Sequence, residues 1–129
     1  MDTVSQFLTL IRNAGSARHD KVDVPASNLR LGIAKILAEN GYIRSFKVAK
    51  DSRQGVMRVY LKYDSKGNHA ITTVNRVSKP GRRVYVKSTQ IPTVRSGLGM
   101  CVLSTSQGVL SGKDAIEKSL GGELLCKVW

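Results

Sequence analysis

Apolar residues recur at helical spacing in two stretches of the first third of the chain. The first stretch, 4–14, follows Thr3 at the position of an N-cap, and Gly15 stands where the helix is expected to end. The second stretch follows the cap residue Ser27 and ends at the Asn-Gly pair 40–41. Both patterns predict amphipathic helices with one face turned to a core.

Three segments in the same half have the alternation or β-branched content of strands. They are 21–25, 42–49 and 56–63, and the polar segment 51–55 between the last two predicts a hairpin turn. We therefore expect an α-β-α-β-β unit, with two helices on one face of a three-stranded sheet.

The second half has short strand patterns and one short helix. The polar segment 64–68 predicts a domain boundary. Beyond it we expect strands at 71–77 and 82–87 around a turn, a break at Gly97 and Gly99, a strand at 100–103, a helix at 111–120 and a closing strand at 123–129. The predicted fold class is α+β, with two small α/β domains in tandem: 1–64 is α-β-α-β-β, and 65–129 is mostly β with one short helix.

Charge indicates the class of partner. Lys and Arg number 21 against 9 Asp and Glu, which gives a net charge of +12 in 129 residues and a pI near 10.2. A chain this basic is expected to bind a polyanion. Two cysteines fit a reducing compartment, and the absence of an export pattern or a long apolar run predicts a soluble cytosolic protein without a membrane segment.

The basic residues are concentrated in residues 65–95. This segment has seven Lys and Arg and no acidic residue, whereas soluble surfaces usually mix both signs. Nucleic-acid phosphate is the favoured explanation; an acidic protein is an alternative, and no basic amphipathic helix supports a membrane. The seven cations are Lys66, Arg76, Lys79, Arg82, Arg83, Lys87 and Arg95.

No set of residues has the pattern of a catalytic, metal or cofactor site. Cys101 and Cys126 lie in apolar strand patterns, and His19 and His69 have no second ligand at a suitable spacing. No nucleophile motif surrounds a serine or cysteine, and the Gly97-x-Gly99 pair has no following helix. We predict no enzyme activity, no metal and no cofactor.

Two polar segments are candidates for RNA contacts. Segment 78–85 combines a Pro-Gly turn with three cations and a tyrosine, which suit phosphate, ribose and base. Segment 104–108 has three consecutive hydroxyls and a glycine after an apolar strand, a pattern that fits base edges and 2′-hydroxyls in the shallow RNA minor groove. An exposed basic hairpin and an ordinary Ser/Thr turn are the alternatives.

The order of several segments resembles the bacterial small-subunit ribosomal protein eight family. The resemblance covers the whole chain, and the Ser-Thr-Ser-x-Gly segment and the last nine residues are its most specific parts. The matching segments are 11–14, 24–27, 33–37, 41–43, 78–85, 97–99, 104–108 and 121–129.

This resemblance implies a structural constituent of the small ribosomal subunit that binds the central domain of small-subunit (16S) ribosomal RNA early in assembly. It further implies neighbouring small-subunit proteins as partners, a cytoplasmic location in the ribosome and, in many members, repression of translation from the protein's own operon mRNA. The family's main RNA contact would correspond to Ser104, Thr105, Ser106, Gln107 and Gly108, with Glu123 orienting that loop. Flanking contacts would come from Tyr85, Lys79, Pro80, Gly81, Arg82 and Arg83, and those of the amino-terminal domain from Arg12, Asn13, Ser27 and Arg30.

Two positions depart from the family pattern. Many relatives have lysine where this chain has Asn28 and Gln107, so the resemblance implies that two phosphate contacts are missing or only polar here. Other function classes make different predictions: a DNA-binding architectural protein would show no RNA preference, an RNA-processing enzyme would cleave or modify RNA, and a scaffold for acidic proteins would keep its partners after nuclease treatment.

Overall fold

The computed structural model describes residues 3–49, 55–94 and 99–129. The chain forms two compact units, 3–72 and 73–129. The side chain of the predicted cap Thr3, the predicted turn at 51–54, Arg95 and Gly97 lie outside the described residues.

The structure divides after Thr72, whereas the sequence predicted a boundary after residue 64. Residues 65–72 turn back onto the first unit. The amide of Ala70 donates to the carbonyl of Lys62 at 2.9 Å, and Tyr63 and His69 form a β-bridge. These contacts keep the segment with the strand that precedes it.

The first unit contains helix α1 (Thr3–Ser16), strand β1 (Lys21–Pro25), helix α2 (Asn28–Glu39) and strands β2 (Ile43–Ala49) and β3 (Val56–Leu61). The sheet is antiparallel with the order β1-β3-β2. Its inner face buries Val24, Met57 and Val59 in the same unit as the buried helix residues Phe7, Ile11, Ile33 and Leu37. The predicted α-β-α-β-β order and the Ser27 cap of α2 are confirmed.

The end of α1 differs from the prediction. Gly15 lies inside the helix instead of ending it, and the chain turns at Arg18, which has a positive φ of 59°. A Cβ built on Gly15 would fall well inside contact distance of the His69 ring. Gly15 is therefore required for packing, because any larger residue would displace the histidine.

The second unit contains strands β4 (Val74–Arg76) and β5 (Tyr85–Val86), a 3₁₀ turn (Ser88–Gln90), strands β6 (Met100–Thr105) and β7 (Gly108–Ser111), helix α3 (Gly112–Glu117) and strand β8 (Gly122–Val128). The sheet order is β4-β8-β6-β7, and β5 also pairs with β8. The core includes Leu103, Ala115 and Leu124. The helices and antiparallel sheets confirm the α+β class.

Several elements of this unit differ from the prediction, and β6 also runs two residues past the predicted end at 103. The strands expected at 71–77 and 82–87 shrink to β4 and β5, α3 ends at Glu117 because Ser119 takes a positive φ of 54°, and the four-residue strand β7 was not predicted. The cap of α3 is as predicted, since the Ser111 hydroxyl accepts a hydrogen bond from the amide of Asp114. Both cysteines are buried thiols, and burial raises the pKa of Cys126 to about 12.

Candidate nucleic-acid interface

The hydroxyl-rich segment 104–108 is a tight hairpin in the second unit. Ser104 and Thr105 end β6, Ser106 and Gln107 form the turn, and Gly108 begins β7 opposite Thr105. Gly108 has a φ of +105°, a conformation that favours glycine. The segment is thus a two-residue turn, with Ser104 and Thr105 in the strand and not in a loop.

The three hydroxyls of this hairpin have different roles. The Thr105 hydroxyl donates to the carbonyl of Gly108 at 2.8 Å and accepts from the amide of Gln107 at 3.2 Å, so it holds the turn together. Ser106 is exposed, and within the described residues its hydroxyl has no hydrogen-bond partner. The best-placed hydroxyl for an external ligand is therefore that of Ser106.

The basic segment 79–83 is a protrusion from one edge strand and not the tip of a predicted two-strand hairpin. β4 and β5 pair with the same edge of β8, and the amides of Val77 and Ser78 continue this ladder by donating to the carbonyls of Leu125 and Leu124. Within the protrusion only Lys79 and Arg82 bridge, by backbone hydrogen bonds of 3.0 and 2.9 Å. The residues of this basic protrusion, Lys79, Pro80, Gly81, Arg82 and Arg83, are all exposed.

Glu123 fixes the base of the basic protrusion. Its carboxylate accepts hydrogen bonds from the buried hydroxyl of Ser78 and from the guanidinium of Arg83, the latter at 3.0 Å. The Ser78 hydroxyl in turn accepts from the amide of Val84 at 3.2 Å. The side-chain hydrogen bonds of Glu123 thus order the neighbouring protrusion, and its orienting role toward the 104–108 segment stays a prediction.

Backbone pairing nevertheless brings Glu123 beside the hydroxyl hairpin. Ser104, Glu123 and Tyr85 lie opposite one another across β6, β8 and β5. Paired residues project to the same face of a sheet, and neighbouring strands are about 4.8 Å apart. Ser104 and Tyr85 are therefore separated by roughly 10 Å, with Glu123 between them. Tyr85 is 70% exposed, so its ring is open to a ligand.

Gly121 and Gly122 allow this close approach. A Cβ on Gly122 would collide with the carbonyl of Ser104, and a Cβ on Gly121 would lie within 2.5 Å of the carbonyl of Val86. Local sequence does not reveal this packing role, because the atoms that crowd Gly121 and Gly122 belong to residues 86–87 and 104–105. Ser78 was also missed as a positioning residue, because nothing in the local sequence marks one serine of this segment as buried.

We call the 104–108 hairpin, Tyr85 and the basic protrusion the turn edge of the second unit. None of these residues has a carboxylate, and the adjacent carboxylate of Glu123 on β8 is paired with Arg83. Within the same part of the chain, neither Lys79 nor Arg82 pairs with a carboxylate. The edge therefore combines unpaired cations, an exposed aromatic ring and an unpartnered hydroxyl.

The candidate residues of the first unit fall into two groups. Arg12 and Asn13 are exposed on α1. Ser27 caps α2 by accepting from the amide of Arg30 at 3.2 Å. Arg30 is only 7% exposed, and its guanidinium donates to the carbonyl of Pro25 at 3.1 Å and to the side chain of Gln6 at 3.4 Å. Arg30 thus stabilises the packing of α1, β1 and α2, while Arg12 and Asn13 face outward.

Asn28 and Gln107 are both exposed, at the start of α2 and in the β6–β7 turn. Each offers a neutral amide and no charge at its position. Within the described ranges, no group of three or more His, Cys, Asp or Glu side chains could hold a metal ion. None of the helices in these ranges is long and apolar enough to span a membrane.

Comparison with known proteins finds similarity along the whole chain. A family model described as ribosomal protein S8 matches residues 2–129. The chain is 69% identical over 129 residues to the small ribosomal subunit protein uS8 of Bdellovibrio bacteriovorus, covering 100% of both chains. It is 53% identical over 128 residues to the protein of that name from Geotalea daltonii, covering 99% of this chain and 97% of the relative. Both units therefore lie inside the matched region.

Proposed function

This chain belongs to the ribosomal protein S8 family, and on that premise we propose that it binds small-subunit ribosomal RNA through the turn edge. As a ribosomal protein it is a structural and not a catalytic component, and it is located in the cytoplasm. Its relatives are named as proteins of the small subunit, which supports the same subunit for this chain.

One observation carries the proposal. The turn edge places the unpartnered Ser106 hydroxyl, the 70% exposed Tyr85 ring and the unpaired cations Lys79 and Arg82 at one side of the same sheet, as far as the described residues show. RNA offers a ligand for each of these groups: 2′-hydroxyls and base edges for the serine, ribose and bases for the ring, and phosphates for the cations. RNA binding explains why the hydroxyl, the ring and the cations lie together, without an enzyme substrate.

Affinity and specificity for RNA would come from different groups of the turn edge. Cations supply affinity that depends on salt but not on sequence, because each phosphate contact releases counterions. If about six cations contact phosphates, affinity should fall by roughly 10³ between 50 and 200 mM salt. Specificity would come from Ser106 and the neighbouring backbone, which can distinguish an irregular RNA helix from a regular one.

We expect Ser106→Ala to weaken binding to a transcript of the small-subunit central domain by about 1 kcal/mol, roughly fivefold in Kd. The hydroxyl is the only group removed, so the slope of log affinity against log salt should stay unchanged. Filter binding at several salt concentrations measures both quantities. Ser65→Ala, an exposed serine in the first unit, is the matched control.

A Ser106→Ala protein that binds the transcript as tightly as the parent overturns the assignment of the hairpin. Nuclease-sensitive co-sedimentation of the tagged chain with small ribosomal subunits tests the place in the ribosome separately. Binding of DNA and RNA with equal affinity at one salt concentration would instead favour an architectural DNA-binding protein. Repression of the protein's own operon mRNA stays a prediction.

A further inference from the structure

The face of the first sheet opposite the two helices is exposed. Strand register sorts its outward residues into three rows, each crossing β1, β3 and β2 in that order. Eight of these nine residues are exposed, and Tyr60 is half-buried. The rows are Pro25, Val56 and Ala49; then Asp23, Arg58 and Lys47; then Lys21, Tyr60 and Ser45.

The rows differ in chemistry from one end of the face to the other. The first row is entirely apolar, and Val56 is 39% exposed. In the second row, Arg58 binds both carboxylate oxygens of Asp23 at 2.8 and 3.1 Å, which leaves Lys47 as the row's unpaired charge. Beside the third row, the cations of Arg44 and Lys47 lie 5.5 and 5.8 Å from the centroid of the Tyr60 ring.

A depression of about 500 Å³ runs between these rows. Its wall is apolar where Ala49 and Val56 line it, and charged where Lys47 and the paired Arg58 and Asp23 do. The Arg58–Asp23 ion pair joins β3 to β1 across this face, and both side chains stay about half exposed. Apolar surface next to aromatic and arginine side chains is typical of protein interfaces.

From this arrangement we propose that the outer face of the first sheet docks a segment of a partner protein that carries apolar side chains beside carboxylates. The apolar side chains lie on the row of Pro25, Val56 and Ala49, and the carboxylates bind Lys47 and the neighbouring Arg44. Charge complementarity selects the acidic partner, since the unpaired charges of this face are all positive among the described residues. The inference goes beyond the proposed RNA contact, which uses the second unit.

Nucleic acid fits this face less well than protein. A polyphosphate would meet the carboxylate of Asp23 in the central row, and an apolar row that offers phosphate no hydrogen bond. The Tyr60 ring has cations near it, so it is not the open stacking platform that single-stranded RNA requires. The paired carboxylate and the apolar row therefore favour a protein occupant.

The test is a titration of the full-length, ¹⁵N-labelled chain with a synthetic peptide that has two leucines flanked by glutamates, followed by two-dimensional NMR. We expect shifts in the amides of the three rows, and a two- to fivefold loss of affinity in Lys47→Glu, as is typical of one lost exposed ion pair. Lys35→Glu makes the same charge change on α2 and should leave binding unaltered.

Three results overturn the proposal. They are no shift on this face at millimolar peptide, stronger shifts there with a uridine oligonucleotide than with the peptide, and binding of a peptide with lysines in place of the glutamates. The titration uses the chain without RNA, so a negative result would not contradict the proposed function. That function is tested by co-sedimentation and by RNA binding of the second unit.

Discussion

Gly122 shows how much of the turn edge depends on a single small residue. Its missing side chain lets β8 approach the carbonyl of Ser104, and this approach sets Glu123 beside the hydroxyl hairpin. The φ of Gly122 does not require glycine. The position requires glycine because the neighbouring strand leaves no space for a Cβ. The glycine therefore contributes to the candidate interface without touching a ligand.

We predict that Gly122→Ala lowers the free energy of unfolding by about 1–3 kcal/mol, because the added methyl group forces the strands apart. Urea denaturation followed by circular dichroism measures this change. Gly81→Ala is the control, since a Cβ there meets nothing within 4 Å. Equal stability of the two variants would contradict the packing argument.

His69 is a second residue whose surroundings decide its behaviour. Its ring packs on Gly15 and lies 5.5 Å from the Tyr63 ring, and its Nε2 atom is buried with no hydrogen-bond partner within the described residues. Burial lowers the pKa of His69 below 6.5, because the charged ring would lose its hydration. The neutral ring is the form that fits the fold.

The stability of the first unit should therefore fall as the pH drops through 6.5 towards the lower pKa of the folded state. In this window the unfolded chain binds the His69 proton and the folded chain does not, so acid favours unfolding. Urea denaturation at a series of pH values measures the effect. We expect His69→Gln to reduce this dependence and His19→Gln, at an exposed position, to keep it.

At the scale of elements, the basic protrusion is a loop of fixed shape inserted into an edge strand. Buried Ser78 and half-buried Val84 anchor its two ends, and Glu123 links Ser78 to Arg83. The protrusion can thus present Lys79 and Arg82 at defined positions. Its order comes from polar contacts to β8, because no apolar side chain of the protrusion is buried.

Glu123→Ala should destabilise the second unit by about 1–3 kcal/mol, since it leaves the buried Ser78 hydroxyl without its acceptor. It should also weaken RNA binding, although removal of a negative charge alone would strengthen it. Chemical denaturation and filter binding test the two effects. Glu117→Ala, an exposed carboxylate on α3, is the matched control and should not lose affinity. Tighter RNA binding by Glu123→Ala would contradict the positioning role.

At the scale of the whole molecule, the sequence predicted those features of the fold that local patterns specify. The caps Ser27 and Ser111 act within three residues, so the starts of α2 and α3 were predicted correctly. Burial of Arg30 and Ser78 depends on residues 24 and 45 positions away in the chain. The packing role of Gly15 likewise depends on His69, and no local pattern contains such information.

The net charge of +12 predicts that the affinity of the whole molecule for RNA falls as salt rises. Single substitutions can separate the contributions of individual cations. Lys79→Ala should reduce the slope of log affinity against log salt by about 1 for the central-domain transcript. Lys113→Ala removes the same charge from α3 and should leave the slope unchanged. Filter binding across a range of potassium chloride concentrations gives the slopes, and identical slopes for the two variants would contradict the assignment of Lys79.

The hydrogen bonds that Thr105 makes within its own turn have a thermodynamic consequence. A loop ordered before its ligand arrives loses little conformational entropy on association. Calorimetry of the complex should then give a heat-capacity change that matches surface burial alone, without the larger signal of a segment that folds as it binds.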